Sequence, residues 1–269
     1  MIAALQMYDW PEVHPRMDAF WAALSANLTT HGIEAPLTLS RPDRLSEPWT
    51  RPDLLLGQTC GLPYVAGRCG DAVLVARPDF GLDGARDGNY ASALICRADD
   101  PATSLSGFRG RIAAINEYGS QSGCNALADA VLDVHADAQH PFFATVSLSG
   151  AHRNSARMVA KGQCDVAAID AVAWALFAEL EPEHHAKLRV IAWTRPMPAL
   201  PFITSPVNAS RIDALREALA ATCHAHADQS IPIPQGVLKA DDSDYDAIRQ
   251  MAKRVQGLQM AKNSPALGL

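Results

Sequence analysis

Residues 111–125 read Arg-Ile-Ala-Ala-Ile-Asn-Glu-Tyr-Gly-Ser-Gln-Ser-Gly-Cys-Asn. The short apolar run 111–116 predicts a buried strand, because it ends in polar and turn residues after only a few positions. A glycine- and serine-rich loop follows it. The next residues place an apolar helical face at Leu127, Ala130, Val131 and Val134. This succession of strand, loop and helix is the unit from which α/β folds are built.

The flanking sequence repeats this alternation. Short apolar runs predict strands at 2–7, 37–39, 53–57, 73–76, 92–97, 142–148, 165–170 and 188–193. Between them, helical spacing gives apolar faces, the first formed by Met17, Phe20, Trp21, Leu24 and Leu28 before a stop at Gly32. Two further helices are predicted near the end of the chain, with capping-box starts at Ser210/Asp213 and Ser243/Asp246. The pattern predicts an α/β fold.

Two segments interrupt the alternation and indicate where the chain passes between lobes. Residues 81–89 are rich in glycine and aspartate, and a proline cluster begins at Pro196. Prolines cannot continue a helix or a central strand, so we interpret both segments as crossings. The sequence therefore predicts a first lobe of 1–88 plus 196–269, and an inserted second lobe of 89–195. Two crossings of this kind form a hinge beside a cleft.

Composition and charge exclude several classes of protein. The 269 residues are 48% hydrophobic and 19% charged with a net charge of −6, and no basic run suggests a nucleic-acid partner. The first 13 residues lack the features of a secretory signal, and no apolar run approaches the roughly 20 residues of a membrane span. We therefore expect a soluble chain that does not span a membrane.

The six cysteines are scattered without a Cys-x-x-Cys pair, which argues against a zinc site and against a dense disulfide framework. We interpret them as buried thiols, although a bond between Cys60 and Cys69 stays open. No metal and no cofactor are expected.

The helix predicted after Ser122 is the first candidate site. The first turn of a helix leaves about four N–H groups without internal partners, and the helix dipole adds about half a positive charge. Gly119 and Gly123 allow close approach of the backbone, and the hydroxyls of Ser120 and Ser122 supply further donors. This combination binds anions without lysine or arginine. The alternative, that Ser122 merely caps the helix, stays open.

Two further polar residues follow predicted strands in the same lobe. His152 lies in the loop 149–155, where it can donate to an anion when protonated, or lie structurally on the surface. Asp170 ends the strand 165–170, where it can accept from a protonated oxyanion or an ammonium group. It can also cap the following helix, and both roles can hold together.

Polar residues of the first lobe follow its own strands. Tyr8 lies after the strand 2–7, and Gln58 and Thr59 lie after 53–57. Ligands bind beyond the carboxyl ends of strands in open parallel sheets, so these residues are candidates for the cleft. Packing against the end of the sheet is the alternative for Tyr8.

Four passages carry a resemblance to a known family: 57–59 (Gly-Gln-Thr), 118–125, 150–170 and 190–194 before Pro201. They resemble the phosphonate/phosphate-type solute-binding components of ABC transporters, which have the type II periplasmic binding protein fold. The most specific passage is 150–170, with its Gly-x-His loop, a helix ending in x-Gly, and Asp-Val-Ala-Ala-Ile-Asp.

The resemblance implies mixed sheets flanked by helices, a periplasmic location and an ABC transporter permease as partner. It implies that Ser120, Ser122 and Asn125 cradle the oxyanion, completed by His152 and Asp170 and, from the first lobe, by Tyr8 and Thr59. The predicted ligand-binding set is Tyr8, Gln58, Thr59, Tyr118, Ser120, Ser122, Gly123, Asn125, His152 and Asp170.

The function expected from these observations is capture of a small oxyanion by lobe closure, by a monomer that is not an enzyme. No Gly-x-Ser-x-Gly elbow, His-Glu-x-x-His or Walker loop is present. One alternative is a cytoplasmic enzyme on the same fold, resembling those of menaquinone or thiamine precursor synthesis, with His152 as base. Another is a ligand sensor with an exposed apolar patch.

Overall fold

The computed structural model describes residues 1–135, 140–226 and 231–268. Its contacts divide the chain into two units. Unit 1 comprises Met1–Asn89 with Pro198–Asp246, and unit 2 comprises Tyr90–Met197 with Ala247–Leu269. Each unit contains a five-stranded sheet with helices, so the prediction of a mixed α/β fold is confirmed.

The strands and helices of the described residues are numbered in chain order. The strands are β1 (Ile2–Ala4), β2 (Leu54–Gln58), β3 (Val73–Asp79), β4 (Asn89–Tyr90), β5 (Ser92–Arg97), β6 (Ile112–Ile115), β7 (Thr145–Leu148), β8 (Val166–Asp170), β9 (Leu188–Trp193), β10 (Met197–Pro198), β11 (Phe202–Thr204) and β12 (Gly236–Leu238). The α-helices are α1 (His14–Thr30), α2 (Gly61–Val65), α3 (Ala126–Val134), α4 (His152–Ala160), α5 (Ala171–Leu180), α6 (Pro182–His185), α7 (Ile212–Ala225) and α8 (Asp246–Val255).

The sheet of unit 1 has the strand order β1-β2-β11-β3-β12. Strands β1 and β2 are parallel, whereas β11 is antiparallel to both of its neighbours. The edge strand β12 is antiparallel to β3. The sheet is therefore mixed.

The sheet of unit 2 has the order β7-β6-β8-β5-β9. Strands β7, β6 and β8 run parallel, while β5 is antiparallel to both β8 and β9. Because the carboxyl ends of parallel strands meet at one edge, the residues that follow β6, β7 and β8 lie along the same side of the sheet. That edge carries Asn116, Ser149 and Asp170.

Local sequence explains most of the elements. All five apolar residues predicted for the face of α1 are buried, and Gly32 follows the helix with φ +70°, as a helix stop requires. Strands β2 and β8 are buried along their whole length, in agreement with the apolar runs that precede their last residues, Gln58 and Asp170.

Three local predictions were wrong. No strand forms at 37–39, where Leu37 is 92% exposed. Helix α7 begins after a 3-10 turn, Pro206–Arg211, without a side-chain cap. The turn that precedes α8 is capped by Asp241 and Asp244 instead of Ser243 and Asp246. Aspartate can cap a helix as well as serine, so sequence spacing did not decide between neighbouring candidates.

The six cysteines are buried free thiols, so the bond left open between Cys60 and Cys69 is not formed. The Cys69 thiol instead lies 3.5 Å from the hydroxyl of Thr59. No helix in the described part of the chain is both long and apolar enough to cross a membrane.

The last residues of the chain belong to unit 2, whereas the prediction assigned all of 196–269 to the first lobe. After α8, Met260, Ala261 and Leu267 are buried in the core of unit 2. Arg254 of α8 forms ion pairs with Asp129 and Asp133 of α3. The spacing of apolar residues in α8 identified a buried face but not the core that it joins.

Candidate functional site

The candidate anion site of unit 2 begins at a helix start that follows β6. A π-helical turn, Gln121–Asn125, leads directly into α3, and the Asn125 N–H donates to the Ser120 carbonyl at 3.0 Å. The Ser120 hydroxyl accepts from the Gly123 N–H at 3.0 Å. Ser120 is therefore the N-cap, and the interpretation of Ser122 as the cap was wrong.

The hydroxyl of Ser122 is instead joined to the second predicted loop. Its oxygen lies 2.7 Å from Nε2 of His152, the first residue of α4. The Ser122 carbonyl accepts from the buried hydroxyl of Ser92 on β5 at 3.0 Å. Ser122 is thus fixed from two elements, and the start of α4 lies against the start of the helix 121–134.

Gly123 is required for this close approach. A Cβ at this position would lie 1.9 Å from Oδ1 of Asn116 and 3.2 Å from Cε1 of His152. The side of Gly123 that a Cβ would occupy is therefore filled by two side chains, and a ligand contact of Gly123 stays a prediction. The sequence interpretation missed Asn116, although its place at the end of the predicted strand was a usable signal.

His152 is uncharged at neutral pH. Burial lowers the pKa of its imidazole to about 4, and the Ala168 backbone carbonyl beside it opposes this shift only in part. Nδ1 is enclosed and has no hydrogen-bond partner among the described residues. The expected protonated donor is therefore a neutral ring, which has one N–H to donate.

Backbone donors remain at the helix start. The N–H groups of Gln121 and Ser122 form no hydrogen bond to any other described residue. Within the part of the chain that the structure describes, the side chains and backbone of Ser120, Ser122, Gly123 and His152 form no hydrogen bond to a charged side chain. The unpaired N–H groups and the helix dipole favour an anion at this helix start.

Asp170 and Tyr118 have structural contacts. One carboxylate oxygen of Asp170 accepts from the N–H groups of Val172 at 2.8 Å and Ala173 at 3.2 Å, so the predicted capping of α5 is present. The half-buried ring of Tyr118 packs against the core of unit 2, and burial and the neighbouring Cys124 raise the pKa of its phenol.

Asn125 is buried one turn into the same helix. Its amide lies 3.5 Å from Oε1 of Gln121, whose own amide is 2.9 Å from the sulfur of Met251 in α8. The C-terminal helix therefore supports the helix start from within unit 2.

The structure brings two of the three candidates of unit 1 together. Tyr8 and Gln58 line one small cavity, whose wall is otherwise apolar and includes Phe80. Tyr8 packs edge-on against Phe80 with ring centroids 5.6 Å apart, and the Gln58 amide donates to the Leu200 carbonyl at 3.3 Å. Thr59 is fully buried and its hydroxyl donates to the carbonyl of the next residue at 3.3 Å.

Comparisons with known structures support the fold. The chain is similar to PhnD1 from Prochlorococcus marinus in complex with methylphosphonate, with 14% identity and a TM-score of 0.73, over 94% of this chain and 96% of that one. It is also similar to a chloride-bound protein from Xanthomonas citri, with 19% identity and a TM-score of 0.69, over 93% and 95% of the two chains.

A third similar structure is a binding protein component of an ABC phosphonate transporter from Pseudomonas aeruginosa, with 16% identity and a TM-score of 0.68, over 93% of this chain and 84% of that one. At these identities the likeness confirms the fold, that of the type II periplasmic binding proteins, and no more.

Comparison with curated protein sequences gives no match. A family model does match, over residues 52–245, which is more than half of the chain; its description is ABC transporter, phosphonate, periplasmic substrate-binding protein. The chain therefore belongs to the family of periplasmic substrate-binding proteins of phosphonate ABC transporters.

Proposed function

We propose that the chain captures a small oxyanion of the phosphonate or phosphate type at the start of the helix 121–134. The observation that carries this proposal is the hydrogen bond between Ser122 and His152, which lies beside the unpaired N–H groups of Gln121 and Ser122. These donors surround one helix start and need no lysine or arginine to favour negative charge.

The protonation of His152 decides which donors the ligand meets. When Nε2 carries the proton, it donates to the Ser122 oxygen, and the Ser122 hydroxyl hydrogen is left for the ligand. The helix start then offers that hydroxyl together with backbone N–H groups. Such a site holds a compact anion by directed hydrogen bonds and partial charges.

The proposal includes the remaining predicted ligand contacts. Tyr8 packs against Phe80 and Gln58 donates to the Leu200 carbonyl, so their ligand contacts also stay predictions. Asn125, Tyr118, Thr59 and Asp170 have internal contacts that account for them structurally, so their ligand contacts stay predictions. We propose that capture involves closure of the two lobes, as hinge-closing binding proteins do.

Binding without chemistry is the better-supported function for the Ser122–His152 pair. A serine and a histidine 2.7 Å apart have the spacing of a nucleophile and its base. An activated pair also needs a base with a pKa near the working pH and a third group that orients the ring. Here the pKa of His152 is about 4, and Nδ1 has no carboxylate partner among the described residues.

Family membership supports the wider setting of the proposal. We propose that the protein works in the periplasm as a monomer and delivers its ligand to the permease of an ABC transporter. Size-exclusion chromatography with light scattering, with and without ligand, tests the oligomeric state.

Calorimetric titration tests the proposed function. Methylphosphonate, inorganic phosphate, phosphite and methanesulfonate are titrated into the wild type and into the variants Ser122→Ala and His152→Ala. We expect saturable binding of at least one phosphorus oxyanion, weakened in both variants. The matched controls are Ser104→Ala and His224→Ala, two exposed residues outside the site.

Absence of binding by all four anions would overturn the proposal. Equal affinity in the wild type and in both site variants would show that any binding occurs elsewhere on the protein.

A further inference from the structure

A buried carboxylate lies between α5 and α6 in unit 2. Glu181 ends α5 and is 9% exposed, and both of its oxygens are engaged. Its side chain accepts from the guanidinium of Arg153, and from Arg157 at 2.8 Å through Nε and 2.7 Å through a terminal nitrogen. His184 approaches the same carboxylate at 3.3 Å.

The two arginines belong to consecutive turns of α4, the helix that begins with His152. Arg153 directly follows His152, and Arg157 is one turn further on. The residue before the helix, Ala151, has no side chain that can cap it. The first turn of α4 is held instead by Asn154 and Ser155, which contact Ser149 at 3.0 Å and 2.6 Å, and by the pairing of Arg153 and Arg157 with Glu181.

We propose that Glu181 is a positioning residue for the anion site, which holds the first turn of α4 through Arg153 and Arg157 and so keeps His152 against Ser122. The proposal rests on the proposed function, because the site that it serves is the helix start at Ser122. Glu181 itself does not contact the ligand.

The Glu181 carboxylate forms a buried ion pair with its arginine partners and not a solvated surface contact. Burial alone would raise the pKa of this carboxyl, but the hydrogen bonds from Arg157 and Arg153 lower it. Removing one partner of a buried pair leaves the other partner's charge uncompensated, so the loss of either Glu181 or its arginines is strongly destabilising for this contact.

A second explanation makes the opposite prediction. Glu181 also neutralises the charge of Arg153. In the second explanation, its only role is to reduce the positive charge near the anion site. In that case Glu181→Gln would strengthen the binding of an anion and Arg153→Met would weaken it. If Glu181 positions α4, both substitutions weaken binding, because either one loosens the first turn.

Calorimetry with methylphosphonate separates the two explanations. We expect Glu181→Gln and Arg153→Met each to weaken binding on the order of tenfold, the loss typical of one misplaced hydrogen bond to a charged group. Arg153→Met retains the contact between Arg157 and Glu181 and so limits the risk of misfolding. The matched control is Glu183→Gln, an exposed residue close by in α6, with unchanged affinity expected.

A double-mutant cycle that combines Glu181→Gln with His152→Ala tests whether Glu181 affects anion binding through His152. If Glu181 acts through His152, the loss caused by Glu181→Gln falls within about twofold of no effect once His152 is absent. A full tenfold loss in the His152→Ala background, or opposite signs for Glu181→Gln and Arg153→Met, would overturn the proposal.

Nitrogen NMR of the His152 ring gives a readout that needs no ligand. The wild type is expected to show a single neutral tautomer at pH 7, because the Ala168 carbonyl beside the ring can only accept a hydrogen bond, and Glu181→Gln a mixture of tautomers. An unchanged ring spectrum contradicts the positioning role. If the wild type does not bind methylphosphonate, the proposed function fails for that anion, while the ring spectrum still decides the role of Glu181.

Discussion

The hydroxyl oxygen of Ser122 lies 2.7 Å from Nε2 of His152, so two loops that follow different strands of one sheet share a hydrogen bond. Because each residue orients the other, their contributions to anion binding are coupled. We expect Ser122→Ala, which removes the hydroxyl donor, to weaken methylphosphonate binding by about 1.5–3 kcal/mol, and His152→Ala by less, since the hydroxyl itself remains.

The double variant Ser122→Ala/His152→Ala is expected to lose less than the two single losses together, by at least about 0.5 kcal/mol. Calorimetry on all four proteins closes the cycle. Strictly additive losses would mean that the two side chains bind the anion independently.

The pH dependence of stability follows from the low pKa of His152, about 4 in the folded protein. An unfolded histidine titrates near 6.5, so between these values the unfolded chain binds more protons. The contribution of the neutral His152 ring to the free energy of unfolding is therefore complete above pH 6.5, and it is lost as the pH falls towards 4. Because the ring is only half-buried, we expect a loss of about 2 kcal/mol.

Urea unfolding at pH 7.5 and 4.5 measures this loss against His152→Gln, which keeps a polar side chain but does not titrate. The stability difference between the two proteins should shift in favour of the variant at the lower pH. A constant difference would show that the imidazole titrates normally in the folded state.

Gly123→Ala places a methyl group 1.9 Å from Oδ1 of Asn116 and 3.2 Å from Cε1 of His152. Both side chains are then displaced, and overpacking of this kind costs about 1–3 kcal/mol of stability. We expect methylphosphonate binding to weaken as well, because His152 leaves Ser122. Gly236→Ala is the control, since its Cβ would meet nothing within 4 Å.

Denaturation and calorimetry on both glycine variants give the result. A Gly123→Ala protein with unchanged affinity would mean that the position of His152 is not needed for binding.

The site illustrates what sequence can and cannot determine. The strand, the loop and the helix start at 111–134 were predicted because short-range apolar spacing and glycine placement fix them. The bond from Ser122 to His152 joins residues 30 positions apart and depends on the order of strands in the sheet. Apolar spacing does not specify that order, so neither this contact nor the place of Asn116 followed from it.

The strand predicted at 37–39 was wrong for the same reason: its formation depends on contacts between distant parts of the chain. The run that contains Leu37 and Leu39 is apolar enough for a strand, but Leu37 is 92% exposed and the stretch pairs with no strand of unit 1. Strand formation depends on a partner elsewhere in the chain, which a local pattern does not reveal.

The C-terminal segment offers a test of the contacts that sequence did not predict. Met260 is buried in the core of unit 2, and its carbonyl accepts from the Phe143 N–H at 2.9 Å. Met260→Ala removes a buried side chain and should cost about 2–5 kcal/mol. Leu37→Ala is the control, because an exposed leucine contributes little and should cost within about 0.5 kcal/mol.

Urea unfolding followed by hydrogen exchange locates the loss. Faster exchange is expected in β6 and α3, which share the core with Met260, because the cavity lowers the stability of the elements around it. Faster exchange only in α1 and α7 would place the end of the chain with unit 1, as the sequence alone suggested. That result would contradict the packing of Met260 in the core of unit 2.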